Sequence, residues 1–192
     1  MGWVTITIKL FLTYLVRENM EGRMKKIYRI LMIMHAFVGV GAMGGGMMAI
    51  LNPKGPAGLP VDTLQNSPFS NYLIPGIILF AVVGIGSLFA SSAILLKFKY
   101  QGYISGVFSG ALVIWIIVQC MMIRMVSFLH VLYLVIGLAE AFLSFLVLLN
   151  QQMFPAGIVF HITKYARERF PDNKLVRQIA KIEGSIREQK AL

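Results

Sequence analysis

Residues 72–96 read YLIPGIILFAVVGIGSLFASSAILL, a stretch of 25 residues without a charged side chain. About 20 apolar residues in helical form are enough to cross the hydrocarbon core of a bilayer, so this stretch predicts a transmembrane helix. In lipid the backbone has to satisfy its own hydrogen bonds within the segment, which favours helix over an isolated strand. Lys97 and Lys99 mark the end of the apolar run.

Three further segments have the same character, at about 27–51, 104–123 and 128–149. The whole chain has 192 residues, of which 57% are hydrophobic and 14% charged. Soluble domains usually carry about 25% charged residues. We therefore predict an all-α, polytopic bundle of four transmembrane helices in a membrane domain at 24–150, with no room for a large extramembrane enzyme domain.

Positively charged residues are distributed unevenly around these spans. The segment before the first span carries six Lys and Arg residues and the tail carries eight, whereas the first loop carries only Lys54. If both termini lie on one side, 16 of the 18 positive residues lie there as well. Positive residues accumulate on the cytoplasmic side of membrane proteins, so both termini are expected to be cytoplasmic and the loop at 52–71 to face outward.

The two terminal regions differ from the membrane domain in composition. Residues 1–23 are mostly apolar but interrupted by Lys9 and too short to span, so they form an interfacial helix, or translation begins instead at Met24. In the tail, 151–192, four apolar residues recur at helical spacing, while basic residues occupy the other faces. They are Leu175, Ile179, Ile182 and Ile186. This pattern predicts a basic amphipathic cytoplasmic helix on anionic lipids, with docking to a protein as the alternative and nucleic acid not expected.

The outer loop is rich in proline. Residues 52–76 contain five of the seven prolines of the chain, which restrict the backbone and favour one defined shape. Four apolar side chains of the loop are suited to fold back over the mouth of the bundle: Leu59, Val61, Leu64 and Phe69. A long ordered loop is often a lid or a binding element. The alternative is that it only caps the bundle.

Small residues recur at helical spacing in every span, which lets helix backbones approach closely in lipid. The glycines assigned to helix packing are Gly41, Gly45, Gly86, Gly102, Gly106, Gly110 and Gly137. Packing within one bundle explains them most simply. The alternative is that one stripe, with the Gly102 series as the best candidate, forms a homodimer seam or docks another membrane protein.

Glu140 lies in the middle of the fourth span, where a carboxylate is costly and usually faces inward. At about 1.5 Å of rise per residue, its depth matches His35 on the first span, Ser87 on the second and 112–115 on the third. We therefore predict that Glu140 meets His35, with Ser87 or the Trp115 indole as further hydrogen-bond donors. The cluster is a structural polar clasp, a proton-responsive or cation-binding site, or a contact with a partner subunit.

A second polar group lies near the outer end of the third span. Trp115, Gln119 and Arg124 follow one another there, and His130 begins the fourth span, so a polar pocket under the first loop is one interpretation. The other is that Arg124 only anchors the helix end at the headgroups and His130 lies in the interface. The single cysteine, Cys120, cannot form an intrachain disulfide, and no ligand set for a metal or cofactor is visible.

The loop pattern Asn52-Pro-x-Gly, Gly58-Leu-Pro and Ser67-Pro-Phe-x-x-Tyr-Leu-x-Pro-Gly76, followed by Trp115-x-x-x-Gln119, resembles a family of small, uncharacterised bacterial four-helix membrane proteins. The resemblance covers about 27–149 and implies the architecture and a bacterial inner membrane, but no activity. A weaker likeness to DoxX-type membrane proteins implies association with redox complexes, although the chain carries no redox centre.

These observations favour a non-enzymatic membrane protein that binds a small molecule or lipid, or serves as an accessory subunit of a membrane assembly. The main reason is that no catalytic set of residues is present. The alternatives are a small transporter or channel-like oligomer that uses Glu140, and a membrane redox-associated subunit.

Overall fold

The structure, a computed structural model, describes residues 2–151, 153–154, 156–169 and 178. This part of the chain is helical and without strands. Four of its helices are long and apolar enough to cross a membrane: Gly22–Leu51, Leu73–Leu95, Gln101–Ile123 and Phe128–Asn150. The predicted all-α fold class, with four helices long and apolar enough to span a membrane, is therefore confirmed.

The second span differs from a plain α-helix, because it contains a π-helical segment at Leu79–Ile85 between two α-helices. We number the α-helices α1 (Gly2–Leu51), α2 (Leu73–Ile78), α3 (Gly86–Leu95), α4 (Gln101–Ile123), α5 (Phe128–Asn150) and α6 (Ala156–Arg169). Helix α1 extends the first span back to Gly2 without a break at Met24, so most of the extension at 1–23 is helical. Whether translation starts at Met24 stays a prediction.

The chain divides into two compact units, one formed by 28–145 and the other by the segments on either side of it. The first unit contains the greater part of all four spans and everything described below about packing. Of the predicted tail helix at 175–186, residue 178 is described and the rest lies outside the described residues. Helix α6 is described, and its apolar residues Ile158, Ile162 and Tyr165 are exposed.

Helix α1 packs closely against the second span through four glycines. A Cβ atom at Gly46 would lie 2.8 Å from the carbonyl oxygen of Gly76, and one at Gly39 would lie 3.1 Å from that of Gly84. Any larger residue would have to push the two backbones apart. Glycine at these positions therefore brings the two spans together at the depth of the π-helical segment.

The other helix contacts close a ring of four spans. Phe108 of α4 contacts α3 at Gly86, and Tyr133 of α5 stacks on Phe37 of α1 with ring centroids 6.1 Å apart. Leu112 of α4 approaches α5 at Gly137. The buried core between the helices contains Val38, Ala42, Val83, Leu112, Trp115 and Ile116.

The proline-rich loop folds back onto the end of α1, as the sequence predicts for two of its apolar residues. Leu64 is 2% exposed and packs with Ala49 and Tyr72, while Leu59 lies against the same cluster. The Tyr72 and Thr63 hydroxyls form a hydrogen bond, and the Thr63 hydroxyl also donates to the carbonyl of Pro60 at 2.8 Å. These contacts hold the loop as an ordered cover.

Leu64→Ala is expected to loosen this cover, because truncation of a buried leucine costs about 2–5 kcal/mol. Lys54 is exposed and is the only Lys or Arg in the loop. We therefore expect faster trypsin cleavage after Lys54 in the variant, measured by mass spectrometry of the folded protein. Asn66→Ala, at an exposed loop position, is the control and should leave the rate unchanged. Equal rates for both variants would contradict an ordered cover held by Leu64.

Candidate functional site

A cavity of about 360 Å³ lies beneath the proline-rich loop, within the unit formed by 28–145. Its walls come from α1, the second span, α4, α5 and the loop itself. Most of the lining is apolar, and representative residues are Ala42, Ala49, Pro56, Leu59, Leu79, Val83, Leu112 and Ile116. Its volume falls within the range of roughly 300–1,000 Å³ that is usual for small-molecule sites.

The Trp115 indole is the most informative polar group in the lining. The side chain is 7% exposed, and its Nε1 atom has no hydrogen-bond partner within the described part of the chain. A buried donor without a partner costs about 1–3 kcal/mol, so such groups usually have a water or a ligand as their partner. Trp115 also belongs to the hydrophobic core beside the cavity. The Trp115 side chain lines the cavity, and its Nε1 atom is itself buried.

The other polar side chains that line the cavity are Tyr72, Gln119, Ser127, His130 and Tyr133. The backbone N–H of Ser127 donates to Nδ1 of His130 at 3.1 Å. Since a backbone N–H can only donate, Nδ1 carries no hydrogen and the neutral imidazole has its hydrogen on Nε2. His130 is therefore a second N–H donor at this end of the bundle.

A second polar group lies deeper in the bundle and joins three helices. Nδ1 of His35 lies 3.4 Å from Oε1 of Glu140, and both side chains are fully buried. Nε2 of His35 lies 2.5 Å from the hydroxyl of Ser105, which in turn lies 2.8 Å from that of Ser144. Ser144 donates to the carbonyl oxygen of Glu140 at 2.7 Å. The predicted contact between the Glu140 and His35 side chains is therefore present.

Some polar atoms around this cluster lack a hydrogen bond in the described structure. They are His35 Nδ1, both carboxyl oxygens of Glu140 and the hydroxyl of Ser87. The His35–Glu140 contact is close enough to interact but is not aligned as a hydrogen bond. Ser87 lies at a matching height, since Ser91, one turn away, donates to the carbonyl of Met32 at 2.9 Å.

The predicted depth on the third span needs a correction. Counting along the spans predicts that Glu140 lies level with 112–115, but Ser105 is the α4 residue that contacts His35, and α5 meets Leu112 through Gly137. The Trp115 indole and the Ser87 hydroxyl donate no hydrogen bond to Glu140. The physical reason is the non-helical connection after α4, where Arg124 has a φ of 50°. This connection shifts α5 along its axis relative to α4. Residues at the same number of positions from the turn therefore do not lie at the same depth.

The polar pocket predicted at the outer end is present in altered form. Trp115, Gln119 and His130 line the cavity beneath the loop, but Arg124 is not among the lining residues and is exposed. Its left-handed backbone conformation ends α4. The lining as a whole is also more apolar than those residues suggested. Whether Gln119 binds a ligand stays a prediction.

The predicted packing glycines lie in different environments. A side chain at Gly41, Gly86 or Gly137 would collide with Tyr133, Phe108 or Val113, and one at Gly45 would contact Leu79. In the Gly102 series, Gly102 is buried, Gly106 faces Ser144 of the same chain, and a Cβ at Gly110 would meet nothing within 4 Å. The homodimer seam therefore stays a prediction, with only Gly110 on an open face.

Sequence reasoning missed the roles of Ser105 and Ser144. Both occur in small-residue patterns, where serine is as easily explained by close packing as by hydrogen bonding.

The described residues contain no group of three or more His, Cys, Asp or Glu side chains that could hold a metal ion. Comparisons of the chain with models of protein families, with curated proteins and with solved structures found no match.

Proposed function

We propose that this chain is a non-enzymatic integral membrane protein that binds a lipophilic small molecule in the cavity beneath the proline-rich loop. The observation that carries the proposal is a mostly apolar cavity that has Trp115 in its lining, together with the buried Nε1–H of Trp115, which has no partner in the described residues. The ligand therefore has an apolar body and a hydrogen-bond acceptor, such as a carbonyl or an ester oxygen. Apolar lining with few convergent polar groups is the usual composition of a small-molecule site.

The surroundings of the cavity support binding of a molecule from the membrane. The spans that enclose it have many exposed apolar side chains, as expected for helices in contact with lipid. The loop covers one end through Pro56 and Leu59. A lipophilic ligand would thus exchange lipid contacts for protein contacts and gain one hydrogen bond, which is worth about 0.5–1.5 kcal/mol net.

The test uses duroquinone, a small apolar ring with two carbonyl acceptors that quenches indole fluorescence on contact. In a Trp3→Phe background, Trp115 is the only tryptophan. We expect saturable quenching of Trp115 by duroquinone in nanodiscs, and weaker competition by durene, the corresponding hydrocarbon without carbonyls. Mass spectrometry of the purified protein should also detect a bound lipophilic molecule. Quenching that rises only linearly with duroquinone, together with no bound molecule, would contradict the proposal.

We place both termini in the cytoplasm of a bacterial cell, with the loop and the cavity on the outer side. The support is the excess of positive residues in the segments before the first span and after the last. On α6, Ile158, Ile162 and Tyr165 are exposed beside Lys164, which suits a helix lying on anionic lipids.

Reporter fusions test this orientation. A fusion after Leu192 should be active with a cytoplasmic reporter and inactive with a periplasmic one, because the positive residues remain inside. A periplasmic reporter inserted in the loop beside Asn66 serves as the reciprocal control and should be active. The opposite pattern at either site would refute the proposed topology.

A small transporter or channel-like oligomer is the second candidate, favoured by the buried His35–Glu140 pair inside the bundle. Ionisable residues within membrane spans often mark ion or proton pathways. A homodimer, or docking to another membrane protein, would use the open face at Gly110. An accessory role in a larger membrane assembly, including a redox complex, would use the same face.

A further inference from the structure

We infer that His35 and Glu140 form a proton-binding site inside the bundle, in which one proton joins Oε1 of Glu140 to Nδ1 of His35. The site is separate from the cavity beneath the loop, and the inference does not depend on the proposed ligand. It rests on the direction of three hydrogen bonds, which the geometry fixes one after another.

The first step begins at the backbone of α5. The Ser144 hydroxyl lies 2.7 Å from the carbonyl oxygen of Glu140, and a carbonyl oxygen can only accept. The single hydrogen of the Ser144 hydroxyl is therefore used in this bond. In the contact of 2.8 Å between Ser144 and Ser105, Ser144 has to accept and Ser105 has to donate.

The second step uses the direction of this hydrogen bond to determine which nitrogen of the His35 imidazole carries a hydrogen. The only hydroxyl hydrogen of Ser105 points to Ser144, so Ser105 can only accept from Nε2 of His35, which lies 2.5 Å away. Nε2 therefore carries a hydrogen. In the neutral imidazole with this tautomer, Nδ1 is an acceptor with a free lone pair. The hydrogen bonds through Ser105 and Ser144 thus determine that the nitrogen facing Glu140 is an acceptor in the neutral imidazole.

The third step concerns the contact between His35 and Glu140. Nδ1 lies 3.4 Å from Oε1, and neither atom has another hydrogen-bond partner in the described residues. Two acceptors at this distance repel each other unless a proton lies between them. A carboxylic acid at Glu140 supplies that proton and donates to Nδ1, with a small rotation of its side chain.

The surroundings favour the neutral acid over an ion pair. A buried ion pair is stabilised only if further hydrogen bonds satisfy its remaining lone pairs, but Oε2 of Glu140 has no partner in the described structure. The other buried polar side chains in the described part of the chain are uncharged: Ser87, Gln101, Ser105, Ser109 and Ser144. Apart from a protonated His35, no charge would therefore offset an ionised Glu140, and the unpaired Oε2 favours the neutral acid over that ion pair.

The experiment combines infrared and nitrogen NMR spectroscopy of the full chain in lipid at neutral pH. We expect an infrared band of a protonated carboxyl group that disappears in Glu140→Gln, and a neutral His35 with its hydrogen on Nε2. Comparison with His35→Gln assigns the His35 signals. A missing carboxyl band, an imidazolium at His35, or a hydrogen on Nδ1 alone would each overturn the inference.

Ser144→Ala tests the direction of the hydrogen bonds that link Ser144, Ser105 and His35. Without Ser144 the Ser105 hydroxyl is free to turn and donate to Nε2, so a population of His35 with its hydrogen on Nδ1 should appear. Ser109→Ala is the matched control. The Ser109 hydroxyl donates to the backbone of Ser105 and takes no part in the series of hydrogen bonds from Ser144 to His35. It should leave the His35 spectrum unchanged. An unchanged spectrum in Ser144→Ala, or the same change in both variants, would overturn the inference.

Discussion

Val83→Phe is expected to abolish saturable quenching of Trp115 by duroquinone, with at least about a tenfold loss of affinity, which corresponds to about 1.4 kcal/mol. Val83 is 1% exposed, lines the cavity and packs in the same core cluster as Trp115. A phenyl ring at this position extends into the space that the ligand would occupy. Because the ring enters an existing cavity, the fold should tolerate it better than a similar enlargement of a filled core.

Val82→Phe is the matched control for this experiment. Val82 is the preceding residue on the same π-helical segment, but it is 45% exposed and does not line the cavity. The two variants introduce the same group at the same depth, so a difference between them reports occupation of the cavity. If duroquinone quenches Trp115 equally in both, the cavity is not the binding site.

Glu140→Leu is expected to destabilise the protein by about 1–3 kcal/mol, because it leaves Nδ1 of His35 buried without a donor. Glu140→Gln should be tolerated, since its amide N–H can donate to the same atom. The measurement is the loss of the helical circular dichroism signal on heating in detergent. The two substitutions therefore show whether stability depends on a hydrogen-bond donor at position 140 or on the carboxyl group itself.

A double variant completes the test of this pair. In Glu140→Leu/His35→Leu both partners are apolar, and part of the lost stability should return, because no unpaired polar group remains at the contact. Equal stability of wild type, Glu140→Gln and Glu140→Leu would show that the contact contributes nothing to folding. A greater loss in Glu140→Gln than in Glu140→Leu would contradict the donor argument.

The meeting of Glu140 with His35 could be predicted because depth in a membrane span is nearly a linear function of residue number. The same counting of residues gave the wrong depth on α4, because the connection around Arg124 shifts α5 relative to α4. It therefore placed Trp115 beside Glu140 instead of in the cavity wall. The roles of Ser105 and Ser144 were hidden for another reason. A serine in a small-residue pattern has the same sequence signature whether it packs or donates.

The sequence by itself determined the four spans, because a bilayer admits only segments that are apolar and internally hydrogen-bonded over a fixed length. It also indicated that Leu59, Val61, Leu64 and Phe69 would fold back over the bundle, and Leu59 and Leu64 are the two that pack at the end of α1. The tertiary structure alone decided the π-helical segment, the cavity and the unpaired Trp115 indole. These depend on how the helices pack against one another. The approach of α1 to α2 at Gly46 and Gly76 is one example, since that distance is a property of both helices together.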